Sequence, residues 1–423
     1  METPLRVAML SVHTCPLATL GGKKTGGMNV YVRELSAELS RRGIFVDVFT
    51  RSQDPCVPHI NDNALGLNAR VIHVPAGPEA PIPTNAIYPY LPEFVDRVLA
   101  FGRQSGLQYD VIHSHYWLSG WVAERLHEIW SAPIIQMFHT LGLMKNRIAL
   151  SPSEYESDLR IETERKVMRI ANYLVAATPA ERIQLMWLYG ADMHKICVIP
   201  PGVDVRHFCP VPQAEAKRVI GIPEDNQMLA FVGRLEPLKG VDTLLKAIAI
   251  VKEQMGVSAE KLCLSIIGGD SDDNDPEIQR LMDLREELGL GEFVTFHGSK
   301  SQETLQYYYS AAEAVIMPSH YESFGLVALE AMACGTPVIA SEVGGLAYLV
   351  QDGVTGFHVP DRDPEELADK ITLLLENDTL RREMSIAAVQ NAQRYAWPRI
   401  ASQITELYHE SIGWEASGAD TNL

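Results

Sequence analysis

Two patterns of apolar positions alternate along the chain. Short β-branched runs suit strands buried on both faces: RVAMLSV, FVDVFTR, RVIHVPA, YDVIHSH, APIIQMFHT, YLVAAT and KICVIPPGV. Longer stretches between them carry a helical period, as in NVYVRELSAELSRRG. There Val32, Leu35 and Leu39 share one face, and Arg41, Arg42 and Gly43 supply the stop. Strand, helix, strand in this order predicts βαβ units and a parallel sheet. After Pro201 and Gly202 the pattern restarts with a polar helix around residues 212–220, and MLAFVGRLEPLKGVDTLLKAIAIVKEQ repeats the logic of the N-terminus. LCLSIIGG, FVTFHG, AVIMPS and TPVIASEVGG read as further strands, DGVTGFHVP as a turn, and PEIQRLMDLREELGL and DPEELADKITLLLEN as helices. Tyr395-Ala396-Trp397-Pro398 breaks one helix and starts another, amphipathic through Tyr408. The expectation is an α/β protein of two doubly wound domains, residues 1–207 and 208–396, with a last helix at 397–414 and a frayed tail.

Composition narrows the function. The 423 residues are 46% hydrophobic and 21% charged, ordinary for a globular protein. With 54 acidic against 36 basic residues the formal charge is −18, which repels nucleic-acid backbones and anionic membrane. An anionic small molecule would then need a few local cations. Six cysteines lie scattered with no CxxC pair, so reduced thiols are expected and no zinc site. The apolar stretch Val7 to Leu10 is too short for a signal sequence, and no run approaches the roughly 18 residues of a membrane span. A soluble, cytoplasmic protein follows as the expectation.

Ligands of open α/β sheets bind at the carboxyl ends of strands, and a Gly-rich turn entering a helix offers N–H groups to phosphate. GGKKTGGMN at residues 21–29 is such a turn, although it has neither the dinucleotide GxGxxG order nor the P-loop GK[ST]; a glycine hinge is the other reading. In FVGRLEPLKG, Arg234 and Lys239 follow a strand and could meet one diphosphate, or be two solvated cations. In HYESFGLVALEAMACGTPVIAS, Glu322 falls at a helix mouth and Glu330 eight residues on, about two turns. Carboxylates there suit sugar or ribose hydroxyls. Asp270-Ser271-Asp272 is a DxD that could hold Mg²⁺ or Mn²⁺, but its acidic neighbours fit a solvated loop better.

FVGRLEPLKG, the E-x7-E helix with ESFG, GTPVIAS with its VGG loop, and GGMNVYVREL together resemble the GT-B retaining glycosyltransferases of family GT4. The resemblance implies two Rossmann-like domains facing a central cleft, with the C-terminal helix crossing back to the first domain. It implies a metal-independent hexosyltransferase with no cofactor, the nucleotide sugar being a substrate. Arg234 and Lys239 would neutralise the leaving diphosphate, Glu330 would accept from ribose and Glu322 from the donor sugar. Backbone amides of Gly26, Gly27, Phe324, Gly325 and Leu326 would complete the donor cradle, and Ser323 belongs to the same implied donor-binding set. His139, in MFHTLGLMKN, matches the family histidine beside the reacting sugar; a core histidine is the alternative. The implied catalytic set is His139, Arg234, Lys239 and Glu322.

Within the family, GGMNVYV and HSHYWLSG are similar to the transferases placing N-acetylglucosamine on inositol phosphate. HTLG with Lys145, and RIETE at Arg160, are similar to the sucrose-phosphate synthases, which act on fructose 6-phosphate. Both comparisons imply an acceptor site of Asn29, Tyr116, Thr140, Lys145 and Arg160. One departure is Thr84, where these relatives commonly carry a lysine. The expected partners are a UDP-sugar donor and a small sugar-phosphate or polyol-phosphate acceptor, with no nucleic acid and no membrane span. UDP-glucose and fructose 6-phosphate, hence sucrose biosynthesis, form the leading expectation. UDP-N-acetylglucosamine with inositol phosphate, or an unphosphorylated acceptor, is the alternative; an inactive sugar-nucleotide-binding protein is the reading from another class.

Overall fold

The structure, a computed structural model, describes residues 4–18, 26–149, 151–269 and 275–413. Contacts divide the chain into two compact units, with divisions at Pro200/Pro201 and at Ala396/Trp397. The first division falls a few residues before His207, because residues 201–207 make their contacts within the second unit. Val203 bonds Tyr395 there, its N–H donating to the carbonyl at 2.9 Å.

The first unit holds β1 (Arg6–Leu10), β2 (Phe45–Arg51), β3 (Ile60–Asn61), β4 (Ala69–Val74), β5 (Val111–His115), β6 (Ile134–Met137), β7 (Tyr173–Ala176) and β8 (Ile196–Val198). They form one sheet in the order β3-β4-β2-β1-β5-β6-β7-β8. All neighbours are parallel except β3 with β4. Val7 sits opposite both Val46 and Val111, so β1 is central and the order reverses between β1 and β5. Strands enclosed on both sides need apolar side chains on both faces, which is why they read as unbroken hydrophobic runs. The edge strand β3 escaped the sequence reading, since a two-residue pairing on a half-exposed loop carries no periodicity.

The helix Trp397–Ser411 belongs to this unit and packs on the helix Gly27–Arg41. Trp397 meets Tyr31 edge-on, with ring centroids 5.5 Å apart, and Tyr408 Oη lies 2.7 Å from His113 Nδ1 on β5. The residues expected to extend this helix past 413 lie outside the described ones.

The second unit holds β9 (Gln227–Val232), β10 (Leu262–Ile267), β11 (Val294–Phe296), β12 (Ala314–Met317), β13 (Val338–Ser341) and β14 (Gly356–Val359). The order is β11-β10-β9-β12-β13-β14, parallel throughout, and reverses between β9 and β12. The segment read as a turn, DGVTGFHVP, supplies both a turn and β14. Each unit has its own apolar core: Leu10, Phe94, Leu118 and Ile134 lie in the first, Leu244, Ile248, Ile316 and Ile371 in the second.

Candidate functional site

In the second unit the candidate residues gather at the carboxyl edge of the sheet, around the reversal between β9 and β12. Arg234 follows β9 by one glycine, and Lys239 ends a 3₁₀ turn, Pro237–Lys239. The chain turns sharply at Gly240, whose φ is +65°. A Cβ there would stand 2.0 Å from the Pro318 carbonyl oxygen, so only glycine lets the β9 loop lie against the β12 loop. This closeness lets Lys239 Nζ donate to Glu322 Oε2 at 2.5 Å, with both side chains largely buried. Glu322 is held in turn by Gly344, where a Cβ would meet the Glu322 carbonyl at 2.0 Å, and by Gly345, whose N–H donates to that carbonyl at 2.8 Å. Expected as separate diphosphate and sugar ligands, Lys239 and Glu322 form an ion pair here. Arg234 remains half exposed and pairs with Glu236 at 2.6 Å in its own loop.

Gly325, with φ +104°, caps the helix Leu326–Ala333 without any side-chain cap. Ser323, Phe324 and Leu326 therefore flank a helix start whose positive end faces the loop. Because the helix begins at Leu326, Glu330 lies little more than one turn inside it rather than two. It is buried and accepts from Tyr309 Oη at 2.7 Å, which fixes one carboxylate oxygen. Sequence reading passed over His320, which carries a 2.6 Å contact from Nδ1 to Asp361 Oδ1 at the same edge.

The first unit assembles its candidates at the ends of β5 and β6. Tyr116 and His139 both adopt left-handed backbone, φ +75° and +61°. Non-glycine residues seldom do so, and the strain is held by the side chains they place. Arg160 is buried and all five of its N–H donors are engaged. Nε donates to Glu164 at 2.8 Å. One terminal nitrogen reaches Tyr116 Oη at 2.9 Å and Glu156 Oε1 at 2.9 Å, and the other reaches the Thr140 carbonyl and hydroxyl at 2.9 and 3.1 Å. Lys145 meets the same oxygen of Glu156. Glu164 also accepts from the Gly142 N–H and from Tyr189 Oη. Thus Tyr116, Thr140, Lys145 and Arg160 converge in one bonded network. Asn29 stands outside that set, its side-chain amide donating to Thr14 Oγ1 at 2.5 Å and to the Cys15 carbonyl at 2.7 Å. Gly27 opens the helix that carries Asn29, and Gly26 immediately precedes it.

His139 is joined to a group of buried rings: its Nε2 lies 3.0 Å from His115 Nδ1, and Tyr31 packs edge-on against both. Burial pushes the His139, His113 and His13 imidazoles down to about 3, and His115 well below its ordinary value. His139 is therefore a neutral ring at neutral pH, able to exchange hydrogen bonds but carrying no charge. The carboxylates around Arg160 had a sequence signal: Glu156, Arg160 and Glu164 recur every four residues, the spacing of helical ion pairs. Residues 21–25 and the DxD at 270–272 lie outside the described residues. Among the described residues no group of three His, Cys, Asp or Glu side chains could hold a metal ion, and no helix is long and apolar enough to cross a membrane.

Comparisons with known proteins agree with this architecture. Residues 25–207 match the family described as Glycosyltransferase Family 4, and residues 212–391 match Glycosyl transferases group 1. The D-inositol 3-phosphate glycosyltransferase of Saccharomonospora viridis is 40% identical over 413 residues, covering 97% of this chain and 95% of that protein. The protein of that name from Corynebacterium jeikeium is 39% identical over 409 residues, covering 96% and 97%. Among solved structures, the sucrose-phosphate synthase of Thermosynechococcus elongatus superposes with a TM-score of 0.88 at 35% identity, over 97% of this chain and all of that one (100%). Anabaena HepE in complex with UDP and glucose shares the fold at a TM-score of 0.74 and 21% identity, over 96% of this chain and 100% of that one. Two parallel Rossmann-like domains, each with its sheet reversal, and relatedness along nearly the whole chain establish that it is a glycosyltransferase of family 4 with the GT-B fold.

Proposed function

We propose that this enzyme transfers N-acetylglucosamine from UDP-N-acetylglucosamine to an inositol phosphate, with retention at the anomeric carbon and without a metal ion. The observation carrying the acceptor is the 40% identity over 97% of the chain with a D-inositol 3-phosphate glycosyltransferase. The polar network supports it: Lys145 and Arg160 are cations on one oxygen of Glu156, a geometry suited to an anionic group. This reverses the order of preference drawn from sequence, where UDP-glucose and fructose 6-phosphate led.

In this reading the donor diphosphate takes its positive contacts from Lys239 and Arg234 and from the amides at the Gly325 helix start, and Glu330 accepts from ribose. Gly26 and Gly27, at the start of the helix Gly27–Arg41, would add backbone amides. Fixed positive groups favour the departing diphosphate more than the bound donor, and that difference lowers the barrier. Neutral His139 would hydrogen-bond the transferred sugar. The departing phosphate oxygen would take the acceptor's hydroxyl proton as the new glycosidic bond forms on the same face.

A second reading, glucose transfer from UDP-glucose to fructose 6-phosphate, has its own support in the 0.88 TM-score and 35% identity with a sucrose-phosphate synthase. Both are tested by measuring UDP release from UDP-N-acetylglucosamine and UDP-glucose with inositol phosphate, fructose 6-phosphate and their unphosphorylated forms. The first reading expects turnover with UDP-N-acetylglucosamine and inositol phosphate. Turnover only with UDP-glucose and fructose 6-phosphate transfers the assignment to the second. Tight UDP binding with no turnover on any pair returns the inactive-binder reading.

A further inference from the structure

The acceptor network contains two carboxylates, and they are not equivalent. Glu164 lies within the helix Asp158–Ile170, is fully buried, and accepts from the Gly142 N–H, the Tyr189 hydroxyl and Arg160 Nε. Its removal would strand several buried donors, so it is a fixed part of the scaffold. Glu156 lies just before that helix, whose N-cap is Ser157, and is part-exposed. Among the described residues its side chain bonds the two cations Lys145 and Arg160 alone, and a single oxygen, Oε1, serves both.

We propose that Glu156 occupies the place of the acceptor's phosphate and is displaced when a phosphorylated acceptor binds, so that it sets selectivity for that phosphate. The inference rests on the phosphorylated-acceptor reading above. The charges balance this way: Lys145, Arg160, Glu156 and Glu164 sum to zero, whereas swinging Glu156 out leaves one net positive charge facing the incoming dianion. Displacement frees one Arg160 N–H and the Lys145 ammonium, while the other four Arg160 donors keep Tyr116, Thr140 and Glu164 in place. An unphosphorylated polyol has no charge with which to replace the carboxylate, so the pair stays closed against it. Burial of Glu156 favours its protonated form, but the charges of Arg160 and Lys145 outweigh this and hold it below the ordinary carboxylate range. It therefore competes as an anion at any pH near neutral.

Glu156→Gln keeps the shape and removes the charge. It should lower the KM for the phosphorylated acceptor about two- to fivefold, the scale of a part-exposed ion pair, with kcat nearly unchanged. The KM for the matching unphosphorylated acceptor should stay where it is in both proteins. Glu156→Asp, still anionic, should keep the wild-type KM, and inorganic phosphate should inhibit Glu156→Gln at lower concentration than wild type. A KM that rises, or that shifts equally for both acceptors, in a wild-type enzyme that prefers the phosphorylated one overturns the displacement idea and leaves the proposed function intact. So does a Glu156→Asp enzyme that behaves like Glu156→Gln. A wild-type enzyme indifferent to acceptor phosphate overturns the acceptor reading and this inference together.

Discussion

Lys239 reaches from the loop after β9 to a carboxylate 83 residues away, and the 2.5 Å pair it makes with Glu322 decides how its charge can be used. In the function proposed above, a pre-placed ammonium loses little freedom when a diphosphate arrives, and it acts most strongly as negative charge builds on the departing oxygen. Lys239→Ala should thus lower kcat about a hundredfold or more while changing the donor KM much less. Steady-state kinetics would show it; a loss confined to KM would make Lys239 a simple binding contact. At this scale the sequence singles out charged residues but not the partners they bond. FVGRLEPLKG and HYESFG named Lys239 and Glu322, yet pairing between loops of different strands has no local signature. Arg160 was equally legible as a cation. Its four-residue spacing to Glu156 and Glu164 was visible but unread, because a charged run usually marks a solvated helix face rather than a buried network.

At the level of the elements, strands of the first sheet and the chain just past them concentrate groups that must stay uncharged. His113 sits midway along β5, His139 comes from the chain just past β6 and His13 from the chain just past β1, and burial depresses all three to about 3. Unfolded, they ionise near 6.5, so below that pH the unfolded chain binds more protons and stability falls as acid is added. Each contributes up to about 1.4 kcal/mol per pH unit between 6.5 and 3. Glu181 opposes them: burial raises it to about 7, so the folded chain binds its proton more tightly between the ordinary carboxylate range and 7. His115 is depressed in the same way and burial raises Glu164 as it does Glu181, so two carboxyls stand against four histidines and the histidines dominate near pH 5.5. The thermal midpoint should fall between pH 8 and 5, and Glu181→Gln should steepen that fall. A flat or rising midpoint would mean the imidazoles are solvated in the folded chain. The strands and most helices here were legible because two-sided burial enforces apolar runs and one-sided burial enforces helical period. The two-residue β3 and the strand half of DGVTGFHVP were not, since their pairing depends on neighbours rather than on pattern.

For the molecule as a whole, a charge of −18 and an anionic donor must be reconciled. Many glycosyl transfers could be served by a divalent cation that brings two positive charges to the diphosphate. In the reading proposed above Arg234 and Lys239 supply two fixed positive charges instead, at the edge of the second sheet. Fixed side chains need no free metal concentration to act, so turnover should survive removal of divalent cations. An excess of carboxylates makes weak, unspecific Mg²⁺ effects expected, and stimulation by added metal is therefore the wrong measure. The informative quantity is the rate left after exhaustive EDTA treatment, which should stay within about twofold of the untreated enzyme. If EDTA abolishes transfer and Mg²⁺ or Mn²⁺ restores it, the diphosphate takes its charge from a metal. The DxD at residues 270–272 would then be the first segment to mutate, and the two cations would be reassigned to holding the loops of the second unit.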